Sequence, residues 1–225
     1  MSYLVLLCGV ESVENEVIVF MADAISDRMV VQPVTLSGEY VQLEPMLPAH
    51  RAALAEAGLD EELWRWIPDP VRTPEEMSAY VDVALADLAR GVSLPFTIVE
   101  RASGKVIGST RYANIERIHR RVEIGWTWVA TPWQRTAVNT ECKYLLLRHA
   151  FETLGCIRVE LKTDLLNEKS RKAIARIGAR EEGVFRNHMI TSTGRIRHSV
   201  YFSIVDSEWP SVKAALEAKL KPSRD

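Results

Sequence analysis

The chain has 225 residues, a formal charge of −2, 47% hydrophobic residues and 26% charged residues. That balance suits a soluble globular chain with its own core, and it argues against the broad basic field of a nucleic-acid binder. Three cysteines, Cys8, Cys142 and Cys156, have neither paired nor metal-ligand spacing, so the expected setting is reducing and cytoplasmic, with no bound metal.

The first 27 residues carry five acids (Glu11, Glu14, Glu16, Asp23 and Asp27) and no Lys or Arg. Their apolar run, Tyr3 to Cys8, is too short to span a bilayer and lacks the positive flank of a secretory signal, so no membrane association is expected. Residues 1–33 are read as an N-terminal extension: a disordered tail, an added strand, or sequence ahead of a true start at Met21 or Met29. Residues 34–225 are read as a single domain.

From Glu39 the pattern is regular. EYVQLEPM alternates as a strand, Ala49 to Gly58 is a short helix, and LWRWIPDP (Leu63 to Pro70) is an aromatic loop. Thr73-Pro74-Glu75-Glu76 combines an N-cap, Pro at the first helical position and early acids, and it starts a helix that stops at Gly91. Two strands, Leu94 to Glu100 and Val106 to Ala113, flank a hairpin turn at Ala102–Lys105. A third strand, Val122 to Val129, is expected to place Val122, Ile124, Trp126 and Trp128 on one face and Glu123, Gly125 and Thr127 on the other. A helix then reaches Leu154, followed by a strand from Ile157 to Thr163 and a helix from Asn167 to Ile177, capped by Asn167 and ended at Gly178. Strands near Glu182–Ile190 and Ile196–Val205 and a helix at Trp209–Leu220 complete the chain. The order β-α-α-β-β-β-α-β-α-β-β predicts an α+β fold whose central strand–helix–strand crossover pairs in parallel or splays.

WQRTAVNTECKYLLLRHAF passes from that third strand into a helix within a few residues. Free N–H groups and the dipole at such a helix start can form a phosphate socket, lined here by Gln134, Arg135, Thr136, Ala137, Val138, Asn139 and Thr140. An ordinary turn with Asn139 or Thr140 as N-cap accounts for the same residues.

The passage EIGWTWVATPWQRT and the later NEKSRKAIARIGAREEGVFR, at their spacing, resemble the GNAT N-acetyltransferase superfamily, in the branch similar to ribosomal-protein N-terminal acetyltransferases. The resemblance covers about Val34 to Val205. Ala137 and Asn139 depart from the family's small-residue positions in the pyrophosphate loop. The resemblance implies a mixed, mostly antiparallel GNAT-like sheet with helices on both faces. Acetyl-CoA is the implied cosubstrate, an amine (a protein N-terminus or a small molecule) the acceptor, and a homodimer is admitted. Main-chain groups of Trp128 and Val129 would hold the pantetheine arm, Asn167 would bond it or cap its helix, and Arg171 would meet phosphate or solvent. Glu123 would take the amine proton, or be a sheet carboxylate paired with Arg121 or Arg111. Ser170 would donate a hydrogen bond to the leaving sulfur, or act as a local cap. A catalytically silent acyl-CoA-binding or protein-interaction domain is the alternative.

Other features carry blander readings. His119 with Arg117, Arg120 and Arg121 is a solvated hairpin end rather than a nucleic-acid patch. Trp64 and Trp66 either wall an acceptor pocket or pack the early helices. Cys142 and Cys156 are buried residues, not nucleophiles.

Overall fold

A computed structural model describes residues 29–221. The readings of the acidic tail therefore lie outside the described residues. The boundary at 33/34 is corrected, because Met29 is buried in the main core and Val31 packs against it.

Two residues, Leu36–Ser37 (β1), pair with Val41–Pro45 (β2), a strand whose alternation buries Val41 and Leu43. Arg51–Gly58 forms α1, and the stretch read as loop begins with one more short helix, Glu61–Trp64 (α2). Its start was legible in Asp60, whose carboxylate accepts the Glu62 N–H at 3.0 Å. Pro74–Ala89 (α3) is capped by Thr73, as its sequence requires. Strands Leu94–Glu100 (β3), Val106–Glu116 (β4) and Arg121–Val129 (β5) follow, then Ala137–Arg148 (α4), which runs on through a π turn at His149–Thr153. Arg158–Asp164 (β6), Glu168–Arg176 (α5), Arg180–Ile190 (β7), Ile196–Val205 (β8) and Trp209–Leu220 (α6) complete the order.

The eight strands form one sheet in the order β1-β2-β3-β4-β5-β6-β8-β7. All neighbours are antiparallel except β5 and β6, which are parallel, as a strand–helix–strand crossover demands. Apolar residues of α4, α5 and α6 bury one face of the sheet (Leu145, Ile174 and Leu216 among them), and those of α1 to α3 bury the other around Leu54, Trp64 and Met77. The expected α+β architecture with helices on both faces is therefore present.

One face assignment is corrected. On β5, Trp126 and Thr127 together oppose the single residue Thr110, since Gly125 pairs with Arg111 and Trp128 with Ser109. Trp126 takes a left-handed φ of 47°. An extra residue in one strand is a β-bulge, and it reverses the alternation beyond it. Val122, Ile124 and Val129 consequently face the main core, whereas Trp128 crosses to the α1–α3 side and packs against Trp64 with ring centroids 5.7 Å apart. Gly58 admits this ring, because a Cβ there would lie 2.7 Å from it. Trp126 itself is 39% exposed.

Candidate active site

β5 and β6 pair over only Arg121↔Arg158, Val122↔Val159 and Glu123↔Glu160. Beyond Glu123, β5 continues to Val129 and β6 to Asp164 with no pairing between them, while β8 holds the other edge of β6 along its whole length. Parallel strands that part in mid-sheet leave a cleft with unpaired main-chain groups on its edges, which an extended ligand can satisfy.

Ala130 donates to the Ile107 carbonyl at 2.8 Å, one step along from the Gly108↔Val129 pair. The alternation of an antiparallel ladder then commits the main chain of Trp128 to β4 and turns that of Val129 toward the cleft. The expectation of two cleft-lining residues is therefore corrected for Trp128. At Val129 the carbonyl accepts Gln134 Nε2 at 2.9 Å, which leaves its N–H for a ligand. The indole N–H of Trp128 is buried without a partner.

At the mouth of the cleft, the N-cap of α4 is Thr136, whose hydroxyl accepts the Val138 N–H at 3.2 Å; neither Asn139 nor Thr140 caps the helix. Helix geometry leaves the N–H groups of Ala137 and Asn139 without intrahelical partners. Arg135 takes the left-handed φ, 63°, and stands exposed beside this turn. Val138 and Thr140 point inward: Val138 joins the main core and the Thr140 hydroxyl accepts from Arg176 at 2.6 Å, so each offers a ligand only its backbone. Gln134 is occupied on both ends, since its Oε1 accepts from Lys169 Nζ. Lys169 thereby brings an ammonium to the socket. The Arg171 guanidinium instead pairs with Glu181 at 3.2 Å. Both sit on α5, and their order in the chain did not show which would turn to the socket.

Asn167 is the N-cap of α5, with Oδ1 accepting the Ser170 N–H at 3.0 Å. The cap is therefore supplied by Asn167, and the half-buried Ser170 hydroxyl is not needed for it.

Glu123 is buried, with 1% exposure. Its Oε2 accepts from Asn114 Nδ2 at 2.8 Å and lies 3.0 Å from Lys162 Nζ. These partners replace the expected arginines. Arg121 pairs with Glu160 at 3.2 Å, and Arg111 lies between the rings of Tyr80 and Trp126 at 4.9 and 5.1 Å. Nearby His188 bonds Ser199 Oγ through Nδ1 at 2.9 Å. Burial, with Lys162 and Arg197, lowers its pKa and favours the neutral ring. No spacing in the chain joins Glu123, Asn114, Lys162 and His188, because they come from four strands.

A second missed residue lies on the opposite face. Lys143, on α4, is 7% exposed and donates to Thr127 Oγ1 at 2.6 Å. A single cation in a helix gives no sequence signal of such burial, which comes from the packing of α4 under β5.

Of the two tryptophans, Trp64 packs the early helices and donates Nε1–H to the Gly58 carbonyl at 2.6 Å. It also walls a cavity of about 270 Å³ with Arg65, Arg72 and Arg195 on its rim. Trp66 is held between Arg65 and Arg195, at 5.3 and 5.7 Å from its ring. Cys142 and Cys156 are buried, and burial pushes both thiols up to about 12. Among the described residues no cluster of His, Cys, Asp and Glu is arranged to hold a metal ion, and no helix is long and apolar enough to cross a membrane.

A sheet split between two parallel strands, with a helix starting at the mouth of the split, forms a cleft suited to an extended ligand with an anionic end. Residues 41–180 match the family model for the acetyltransferase (GNAT) domain. YdaF of Bacillus subtilis (strain 168), provisionally named a ribosomal N-acetyltransferase, is 33% identical over 110 residues, 49% of this chain and 59% of YdaF. A GCN5-related N-acetyltransferase from Brucella melitensis is 33% identical with a TM-score of 0.80, covering 85% of this chain and 87% of its own. Mycobacterium smegmatis RimJ, in complex with CoA-disulfide, shares the fold at 24% identity and a TM-score of 0.72, covering 83% of this chain and 95% of its own. The chain belongs to the GNAT acetyltransferase family.

Proposed function

We propose that this chain transfers acetyl from acetyl-CoA directly to a primary amine. The observation that carries the proposal is the cleft where β5 leaves β6, open at the start of α4 and closed at Glu123↔Glu160. Acetyl-CoA supplies the activated acetyl thioester. The residues present fit that cosubstrate: the Val129 N–H faces the cleft, and the N–H groups of Ala137 and Asn139 with Arg135 and Lys169 form a positive end for its pyrophosphate.

In this reading Val129 holds the arm of the cosubstrate by its main chain, and Thr136 fixes the geometry of the socket. Asn167 orients α5 so that the Ser170 hydroxyl donates toward sulfur. Glu123 receives the amine proton through water on the α3 face, with Lys162 Nζ 3.0 Å from its carboxylate. An alkylamine is mostly protonated near neutral pH, so some group must remove that proton before attack.

The acceptor is read as a protein N-terminus or a small-molecule amine. The names of YdaF and RimJ's fold likeness support testing N-terminal peptides first. A cytoplasmic setting suits the free, buried thiols of Cys142 and Cys156. A homodimer is admitted by the family resemblance and is read by light scattering.

The test is a panel of N-terminal peptides and small amines with acetyl-CoA, followed by free-thiol release. Amine-dependent thiol release is the expected result. Tight acetyl-CoA binding without release for any amine would favour the silent binding domain.

A further inference from the structure

Lys143 lies on the second turn of α4, beneath the stretch of β5 that has already left β6. Its ammonium donates to the Thr127 hydroxyl at 2.6 Å, and that hydroxyl lies 2.8 Å from Thr110 Oγ1. No carboxylate of the described residues forms a salt bridge with it. Its neighbour Glu141 is turned away, accepting the N–H groups of Glu39, Tyr40 and Val41 at 2.7 to 2.8 Å. Cys142 is the titratable neighbour that acts on Lys143, and its thiol is neutral at physiological pH. One turn further along α4, Tyr112 donates to the Leu146 carbonyl and stacks on His149, whose pKa burial lowers. Buried ammonium groups are normally paired with an anion, because removal from water disfavours the charge. Among the described residues Lys143 has one neutral acceptor and no counter-ion.

The place where this charge sits gives it a use. A cosubstrate whose phosphates lie at the start of α4 and whose arm follows β5 puts its reacting end deep in the cleft, toward Thr127 and the closed end at Glu123. We propose that Lys143 supplies the positive charge that stabilises the CoA sulfur as it departs as a thiolate, acting from beneath Thr127. This rests on the acetyl-CoA reading above. In the transfer, a bond forms between the amine nitrogen and the acetyl carbonyl carbon, and the carbon–sulfur bond breaks. The electron pair of that bond stays on sulfur, and the displaced amine proton leaves through water and Glu123. Lys143 neither gives nor takes a proton; its field favours the negative sulfur over the neutral thioester. A nearby cation lowers the pKa of a protein thiol in the same way. Burial lowers the Lys143 pKa to about 8, so the ammonium form predominates at neutral pH and fades as pH rises past that value.

The test compares a neutral-sulfur ligand with one that can ionise. Calorimetry at pH 8 measures the affinities of acetyl-CoA and CoA for wild type, Lys143→Met and Lys143→Arg, and thiolate absorbance titrates the sulfur of bound CoA. Lys143→Met should raise the pKa of the bound CoA thiol by about one unit and lower CoA affinity at pH 8 by up to about threefold, the part of that shift expressed there for a thiol of ordinary pKa about 8.5, with acetyl-CoA affinity unchanged. Lys143→Arg should retain most of the preference. In the wild type, bound CoA should ionise at lower pH than free CoA. Equal losses of both ligands would make Lys143 a holder of the arm and overturn the proposal, as would unchanged affinities. Should Lys143→Met fail to fold, an unshifted thiol titration in the wild type overturns it alone. Wild type that binds neither ligand overturns the acetyl-CoA reading itself.

Discussion

Glu123 Oε2 and Lys162 Nζ stand 3.0 Å apart across the point where β5 and β6 separate. The ion pair spans the closed end of the cleft, with the carboxylate buried and the ammonium lying 5.6 Å from the ring of Trp126. Glu123→Gln should lower kcat/KM by about 10²-fold, within the range for lost general base catalysis, most strongly at low pH where little free amine exists. Removing one partner of a buried pair also costs stability, so thermal unfolding must be followed alongside. An unchanged rate and pH profile in a folded Glu123→Gln protein would reduce the residue to a structural partner of Lys162.

At the cleft mouth, Ala137 is the first residue of α4 and its φ is not positive. Ala137→Asp should fold, because an acid at a helix start is favourable. It should weaken acetyl-CoA binding at least tenfold, about 1.4 kcal/mol, by facing a pyrophosphate with a carboxylate. Ala137→Gly should cost about 0.5–1 kcal/mol of stability, since no left-handed strain is relieved. Val138→Glu should instead unfold the protein, because Val138 belongs to the core. Calorimetry on the folded Ala137→Asp protein decides: unchanged affinity would place the nucleotide elsewhere.

Ser170 and Asn167 separate by what each variant changes. Ser170→Ala leaves the Asn167 cap in place, as the cap uses the Ser170 N–H. The expected effect is about a tenfold drop in kcat, from a hydrogen bond worth about 1–1.5 kcal/mol in the transition state, with acetyl-CoA affinity nearly unchanged. Asn167→Ala should cost about 1 kcal/mol of stability through the lost cap. Equal losses of affinity and turnover in Ser170→Ala would make the serine a binding residue.

Lys143 links stability to pH. Its pKa falls from 10.5 to about 8 through burial, so between those values the unfolded chain binds more protons than the folded one. Stability from this group therefore rises with pH across that window, and below it the buried charge is a full cost. Lys143→Met should be more stable than wild type by about 3 kcal/mol at pH 7, and the difference should close as pH approaches 10.5. Urea titrations at neutral and alkaline pH measure it; a difference independent of pH would show that the ammonium is not desolvated in the folded state.

The local chemistry of the chain determined most of the architecture. Thr73 and Asn167 announced their helices because a cap acts on N–H groups two or three residues away, within reach of a short sequence window. The turn at Ala102–Lys105 and the alternation of β2 were legible for the same reason, as was the need for one parallel crossing. What lay beyond that reach was decided by the fold. The bulge that sends Trp128 to the α1–α3 side is visible only when β4 and β5 are laid in register, because it is a mismatch in count between two strands. The pairing of Glu123 with Lys162 rather than an arginine, and the choice of Lys169 over Arg171 at the socket, depend on which side chains the packed elements turn toward one another. Lys143 is the clearest instance. Its residue type and helical position suit a solvent face, and only the packing of α4 under β5 takes its charge out of water and places it beneath Thr127.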